Sequence, residues 1–288
     1  MTKKDTLISF NKILTAPEDA KISIFDRGFL FGDSVYEVTL TVNKEIIFIK
    51  EHLDRLNKSA NAIAMISQFS QEEIREEILK IQSILGFDRM YFRIILTRGE
   101  GEIGLDPDLA TKQNLIIIGK SLSEYPTKWY DQGVEVIIAD TLRNPRKAMD
   151  PNIKSGNYLN NVLAMIEAKK RNAFDAIMLN HEGNVAEGTT NNIWMVKDKI
   201  VSTPPLKAGL LEGITRAKIL HFESLNYKVI EQDIAPSQIL EADEAFFTSS
   251  TKEIVPIVKI DDKVIGNGKP GLITKEIHQK YKEIAYLK

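Results

Sequence analysis

Apolar residues along this chain recur with two different periods, and the places where the period changes mark its elements. Positions 22–25, 35–42 and 45–49 are rich in β-branched and aromatic residues and read as strands, with Asn43-Lys44 as a tight connection between the last two. The pattern then turns helical. Leu53, Leu56, Ala60 and Ile63 share a face over 51–63, and Ile74, Ile78, Ile81 and Leu85 do so over 71–85. Ser70 stands where an N-cap belongs and Gly86 where a helix stops. Positions 90–97 and 114–119 return to strand character on either side of a loop rich in Gly and Asp. Between Lys120 and Gly133 the apolar pattern weakens, which places an interdomain linker at 121–133.

Beyond it the chain is strand-rich, at 134–139, 174–180, 191–196, 199–203, 244–248 and 254–260, with helices expected over 157–171, 214–226 and 272–284. The clearest helical stripe runs from Tyr158 to Ile166, where Leu159, Val162, Leu163 and Ile166 align. No repeat or low-complexity segment interrupts the pattern. The fold class expected is α/β (α+β), with a small N-terminal domain over 1–120 and a larger, strand-rich domain over 134–288.

Composition narrows the function classes. A length of 288 residues leaves room for two cores, and 43% hydrophobic with 27% charged residues is ordinary for a globular protein. The formal net charge of −2 gives no global pull toward nucleic acid or acidic membrane, so a site for a charged substrate must draw on local charge. With no cysteine, disulfides, thiolate nucleophiles and thiolate metal sites drop out together. Lys3 and Lys4 precede no apolar segment of signal-peptide length, and apolar runs such as 115–119 and 134–139 are too short to span a bilayer. A cytoplasmic enzyme is expected.

Several motifs mislead. Gly99-Glu-Gly-Glu-Ile-Gly104 has dinucleotide-binding spacing, but Leu105-Asp-Pro-Asp108 and then a strand follow it, where that motif needs a helix to present its N-terminus to a pyrophosphate. Gly266-Asn-Gly-Lys-Pro-Gly271 lacks P-loop spacing and reads as a hairpin turn. His52, His181, His221 and His278 form no ligand pair at helical spacing, so no metal site is expected, and no nucleophile elbow of the G-x-S-x-G type is present.

The residues that carry chemistry lie elsewhere. Asn152-Ile-Lys-Ser-Gly-Asn-Tyr158 puts Lys154 at the mouth of a turn before an amphipathic helix. Small and apolar neighbours and a helix N-terminus disfavour an ammonium, which suits an amine that must attack an aldehyde, although most lysines in such loops are simply solvated. Glu187 is a lone carboxylate in the otherwise uncharged Asn184-Val-Ala-Glu-Gly-Thr-Thr-Asn-Asn-Ile-Trp194, suited to a cationic ring nitrogen or equally to a turn. Gly213-Ile-Thr-Arg216 opens a helix whose first amides can hold an anion, as can the hydroxyls of Thr248-Ser-Ser-Thr251 and the guanidinium fork of Arg55.

Together with Asp26-Arg-Gly-Phe-Leu-Phe-Gly-Asp33, Glu51-His-Leu-Asp-Arg55, Leu211-Glu-Gly-Ile-Thr-Arg216 and Gly266-Asn-Gly-Lys-Pro-Gly271, these segments resemble, in order and over nearly the whole chain, the class IV aminotransferases of the fold-type IV group. That resemblance implies pyridoxal 5′-phosphate (PLP) held as a Schiff base on Lys154, which also serves as the base that moves the Cα proton. It implies that Glu187 faces the pyridine nitrogen, Tyr158 the phenolic oxygen and Leu211 one ring face, while Arg55, Ile214, Thr215, Ser250 and Thr251 hold the phosphate. It further implies a homodimer of two-domain chains with the cofactor between the domains, and a loop matched by 101–107 that reaches the partner's site.

Substrate markers divide. Tyr91-Phe-Arg93, Gly104-Leu-Asp-Pro107, Arg143-Asn144 and Asn157-Tyr-Leu-Asn-Asn161 resemble branched-chain aminotransferases, in which the counterpart of Arg93 receives the side-chain carboxylate of glutamate in an apolar pocket. Phe31-Gly-Asp-Ser-Val-Tyr-Glu-Val38 and Thr97-Arg-Gly99 look more like D-amino-acid aminotransferases, in which Tyr36 and Arg98 would trap the α-carboxylate. Branched-chain L-amino acids with 2-oxoglutarate are the expected substrates. D-amino-acid or mixed specificity, an aminodeoxychorismate lyase, an amine transaminase and a PLP-binding protein without turnover are the alternatives. Arg93 and Arg98 are five positions apart, so a straight strand points them to opposite faces, and which one turns inward separates the two specificities.

Overall fold

The computed structural model describes residues 5–222 and 226–286, and these fall into two compact units. The first contains the described residues up to Ser123 together with the short segment Ile153–Asn157. The second contains Glu124–Asn152 and the described residues from Tyr158 onward.

In the first unit β1 (Thr6–Phe10), β2 (Ile13–Thr15), β3 (Ser34–Val42), β4 (Glu45–Ile46), β5 (Met90–Thr97) and β6 (Asn114–Ser121) form an antiparallel sheet in the order β2-β1-β6-β5-β3-β4. The α-helices that accompany it among the described residues are α1 (Arg27–Phe31), α2 (Ile49–Ala62) and α3 (Gln71–Leu85). Side chains alternate across each strand. One face, with Val35, Phe92, Ile94, Leu96, Leu115 and Ile117, packs on Leu53, Leu56 and Ala60 of α2 and Ile74, Ile78 and Ile81 of α3. The opposite face carries Tyr36, Val38, Tyr91, Arg93, Ile95 and Lys120, set side by side by the register Tyr36↔Ile95, Val38↔Arg93 and Tyr91↔Lys120. Asn43 and Lys44 both take left-handed φ, the turn that a right-twisted hairpin favours. Ser70 caps α3 in a reciprocal capping box with Glu73, and Gly86 ends it in the left-handed region.

The first unit also corrects the sequence reading. Positions 22–25 form a turn, not a strand: Asp26 N donates to Ser23 O, the Ser23 hydroxyl accepts from Phe25 N, and Ile24 and Phe25 are exposed. Asp26 then caps α1, a helix too short to show a period. The strand expected over 45–49 shrinks to β4, because Phe48 takes left-handed φ and α2 begins at the next residue.

Among the described residues the second unit is built on nine strands: β7 (Val134–Ile138), β8 (Asp175–Leu179), β9 (Val185–Gly188), β10 (Asn192–Lys197), β11 (Ile200–Thr203), β12 (Lys228–Glu231), β13 (Glu244–Ser249), β14 (Glu253–Ile260) and β15 (Lys263–Val264). Their order is β12-β11-β10-β13-β14-β7-β8-β9, with β15 on β14. The pairs β11–β12, β14–β7 and β7–β8 are parallel and the others antiparallel, so the sheet is mixed. Among the described residues the α-helices that accompany it are α4 (Lys128–Asp131), α5 (Leu159–Lys170), α6 (Ile214–Leu220), α7 (Pro236–Leu240) and α8 (Leu272–Tyr286). Val136, Ile177, Ile193, Met195, Phe247 and Val255 share a core with Ile239 of α7, while α8 is tied to the sheet by Glu244, whose carboxylate accepts from Ile273 N and Thr274 N.

Here α5 reverses the expectation from its pattern. Its buried residues are Asn161, Ala164 and Ala168, the two alanines packing closely on Ile137, Ala176 and Met178. The large apolar stripe faces away: Leu159 is 70% exposed, and Val162, Leu163 and Ile166 are exposed as well. The helix expected over 214–226 ends at Leu220, and part of that span, 223–225, lies outside the described residues. The Gly266–Gly271 turn leads from β15 into α8 and does not join two strands. Among the described residues no helix is long and apolar enough to cross a membrane.

Candidate functional site

The expected chemistry of the first unit gathers at the edge of β3. There the segment Ile153–Asn157 runs alongside: Tyr36 N donates to Lys154 O at 2.9 Å, Gly156 N to Ser34 O at 2.8 Å, and Lys154 N to the Ser59 hydroxyl of α2 at 3.1 Å. Gly156 is required by this approach, since a Cβ would overlap the Ser34 hydroxyl. Ile153 packs on the helix-side core, so alternation sends Lys154 to the other side. Its Nζ lies 4.6 Å from the centroid of the Tyr36 ring, and Arg93 Cζ lies 3.8 Å from the same centroid. Lys154, Tyr36 and Arg93 therefore form one cluster, the lysine nitrogen and the guanidinium both against the same aromatic ring. Tyr91 stands on the same face with Lys120 Nζ 5.1 Å from its ring.

Arg98 is engaged differently. Because β5 stops at Thr97, Arg98 lies past the strand end. Its Nε donates to Asp33 at 2.7 Å, and its terminal nitrogens donate to Ile63 O and Ala64 O just beyond α2. Arg27 binds the same Asp33 oxygen and also donates to Gly104 O and Leu105 O, fixing the loop behind β5. Burial raises the Asp33 pKa, but Arg98 and Arg27 together bring it below the usual carboxylate range.

On the helix side of β3, Glu37 is fully buried. It accepts from Arg55 Nε at 2.6 Å, Arg55 Nη2 at 2.9 Å and His52 Nδ1 at 2.7 Å. Burial alone would raise its pKa; Arg55 and His52 outweigh it and hold the group well below the ordinary range. His52 is pushed down by burial, opposed by Glu37 and reinforced by Arg55 and Lys154. Arg55 is thus a guanidinium aimed by a buried carboxylate.

In the second unit Glu187, on β9, is 4% exposed. Its Oε1 accepts from Arg143 Nε at 2.8 Å, and its Oε2 accepts from Leu211 N at 3.1 Å and Asn192 Nδ2 at 3.4 Å. Asn192 also donates to Leu211 O at 2.8 Å, which joins the Leu211 backbone to the same group. Gly213 follows, and a Cβ there would overlap the Asn192 side chain, so only glycine allows α6 to start so near β10. Ile214 and Thr215 begin α6, with the Thr215 hydroxyl donating to Tyr281 OH at 3.4 Å. Ser250 and Thr251 occupy the tip of the β13–β14 hairpin, whose strand β13 pairs with β10 through Asn192↔Thr248. Tyr158 precedes α5 as its N-cap residue.

Each unit by itself carries chemistry that suits part of PLP: the first an amine suited to an aldehyde and a fixed guanidinium suited to a phosphate, the second a buried carboxylate suited to a pyridine nitrogen. Glu37 and His52 carry sequence signals of their own, an acid inside an apolar strand and a histidine three residues before Arg55. The contacts of Arg143 and Asn192 with Glu187 follow from no spacing rule and come only with the fold.

Comparison with known proteins agrees with this chemistry. Residues 34–260 match the family model of amino-transferase class IV. The chain is 35% identical over 268 residues, 93% of this chain and 92% of the relative, to a Methanocaldococcus jannaschii protein named "Putative branched-chain-amino-acid aminotransferase". It is 34% identical over 279 residues, 94% of each chain, to the D-alanine aminotransferase of Bacillus licheniformis. Among solved structures it resembles the branched-chain amino acid aminotransferase of Escherichia coli, at TM-score 0.93 and 26% identity, covering 98% of this chain and 95% of that one.

Proposed function

The chain belongs to the class IV aminotransferases, which use PLP, and we propose that it moves the amino group between branched-chain L-amino acids and 2-oxoglutarate. Bound PLP supplies the electron sink that lets a Cα–H bond ionise. Lys154 supplies the amine that anchors the aldehyde and then carries the proton to and from Cα. Glu187 holds the pyridine nitrogen in its protonated form, Tyr158 meets the phenolic oxygen, and Leu211 lies against one ring face. Arg55, Ile214, Thr215, Ser250 and Thr251 hold the phosphate. Tyr36 and Tyr91 line the substrate side.

The observation that carries the choice of substrate is the contrast between the two arginines. Arg93 lies over the Tyr36 ring, against which Lys154 Nζ also rests, whereas Arg98 is committed to Asp33 and to the carbonyls after α2. A cation beside the lysine suits the side-chain carboxylate of glutamate, and an arginine spent on structure does not suit the α-carboxylate trap of D-specific enzymes. A homodimer fits the exposed apolar stripe of α5, since a globular chain in water rarely leaves such a surface uncovered. A cytoplasmic location suits small-molecule amino-acid chemistry of this kind.

The test is a donor panel of L-Leu, L-Ile, L-Val, L-Glu, D-Ala, D-Glu and a chiral primary amine, each with 2-oxoglutarate and with pyruvate. Turnover of the branched-chain L-amino acids and L-Glu is expected. Turnover confined to D-amino acids would replace the substrate assignment with the D-specific one, and turnover confined to the chiral primary amine would replace it with an amine transaminase.

A further inference from the structure

Glu187 and Tyr158 belong to different elements, β9 and the start of α5, yet the proposed reading asks both to meet one rigid ring. Something must hold their separation. The side chain of Arg143 reaches both elements. Arg143, 7% exposed, lies between β7 and α5 in a segment without regular structure, and its backbone N donates to Leu179 O at the end of β8 at 2.8 Å. Its Nε donates to Glu187 Oε1 at 2.8 Å and its Nη1 to Asn160 Oδ1 at 3.0 Å. Asn160 is in the first turn of α5, two residues after Tyr158, and its Nδ2 donates back to Leu142 O at 2.8 Å. The guanidinium is therefore held at its root by β8, at one edge by the carboxylate and at another by α5.

Stability alone is a poor reason for this arrangement. A buried ion pair forfeits hydration on both partners, and an apolar pair of similar volume often serves a fold as well or better. The fork geometry of arginine fixes direction, which a lysine at the same place would not. We propose that Arg143 is a positioning residue for the cofactor ring: it sets the Glu187 carboxylate and the first turn of α5 at a fixed separation, so that the ring nitrogen and the phenolic oxygen are engaged together. This rests on the reading of Glu187 and Tyr158 as ring contacts. Asn192 and Leu211 N brace the other oxygen of Glu187, so the carboxylate stays in place without Arg143 but loses its tie to α5.

The test is a double-mutant cycle read by PLP affinity and by the pH titration of the bound cofactor's absorbance. The wild-type protein, Arg143→Met, Glu187→Gln and the double variant are stripped of cofactor and titrated with PLP by equilibrium dialysis. Arg143→Met is expected to weaken binding about tenfold to a hundredfold, the loss of hydrogen bonds to a charged group, and to shift the absorbance titration. In the Glu187→Gln background the same substitution should change affinity much less, because its path through the carboxylate is gone. Asn160→Ala, which leaves the ion pair intact, should shift affinity and spectrum in the same direction by a smaller factor, and it serves as the probe should Arg143→Met fail to fold.

Equal losses in both backgrounds with an unmoved titration would overturn the proposal, since a merely structural residue behaves in that way. So would Asn160→Ala with wild-type affinity and spectrum. Failure of the underlying reading looks different: the wild-type protein would bind no PLP, or Glu187→Gln would leave both affinity and spectrum unchanged.

Discussion

Glu37 shows how one buried side chain links stability to function. It is the shared acceptor of Arg55 and His52, and both of these face inward from α2. The folded state lowers the pKa of Glu37 from its ordinary 4.5 and that of His52 from 6.5. A group whose pKa is lowered by folding contributes stability above its ordinary value and loses that contribution as the pH falls. Acid should therefore weaken the protein in two stages, the first beginning below pH 6.5 as the unfolded chain takes up a proton at His52, the second below 4.5 at Glu37. Thermal unfolding of wild type and His52→Gln between about pH 7.5 and 5 checks the first stage. The wild-type melting temperature should drop more steeply below 6.5, and parallel curves would remove His52 from the account. Arg93 makes a prediction of a different kind. Arg93→Met should raise KM for L-Glu and 2-oxoglutarate on the order of tenfold or more, the loss of a charged hydrogen bond, while KM for L-Leu changes little. An equal rise for both substrates would mean that Arg93 supports the fold and does not read the side-chain carboxylate.

Among the elements, α5 carries the largest difference between pattern and packing. Its stripe of Leu159, Val162, Leu163 and Ile166 reads as a core face, yet the helix lies on the sheet through Ala164 and Ala168. If a second copy covers the stripe, Leu163→Asp should convert the dimer to a monomer in light scattering while circular dichroism stays unchanged; a dimer of undiminished stability would place the interface elsewhere. The same helix shows the limit of periodicity, which reports that a face is apolar but not which surface covers it. Where the covering element is close in sequence, reading was easier. The α3 boundaries follow from Ser70, Glu73 and Gly86, and the β3–β4 turn from Asn43-Lys44. β9 escaped notice because Glu and Gly within Val185–Gly188 break strand composition, and Ile22–Phe25 misled because its apolar residues are exposed. The candidate site follows the same rule. Lys154, Glu187 and Arg55 stand out within their own segments, but Arg143 meets Glu187 across 44 positions, a pairing that only the folded sheet creates.

At the scale of the whole molecule, each unit brings part of the chemistry on its own framework. The first sheet presents Lys154 with Tyr36 and Arg93 on one face and holds Arg55 through Glu37 on the other. The second sheet surrounds Glu187 with Arg143, Asn192 and the Leu211 backbone, and starts α6 close beside them. Neither set describes an aminotransferase alone; the family match across residues 34–260 spans both. The most direct test of the central claim is to reduce the PLP-loaded protein with borohydride, digest it and map the modified peptide by mass spectrometry. One phosphopyridoxyl group per chain is expected, on the peptide containing Lys154, with none in Lys154→Ala. A protein that stays colourless and unlabelled after incubation with PLP, or a label on a different lysine, would contradict the account.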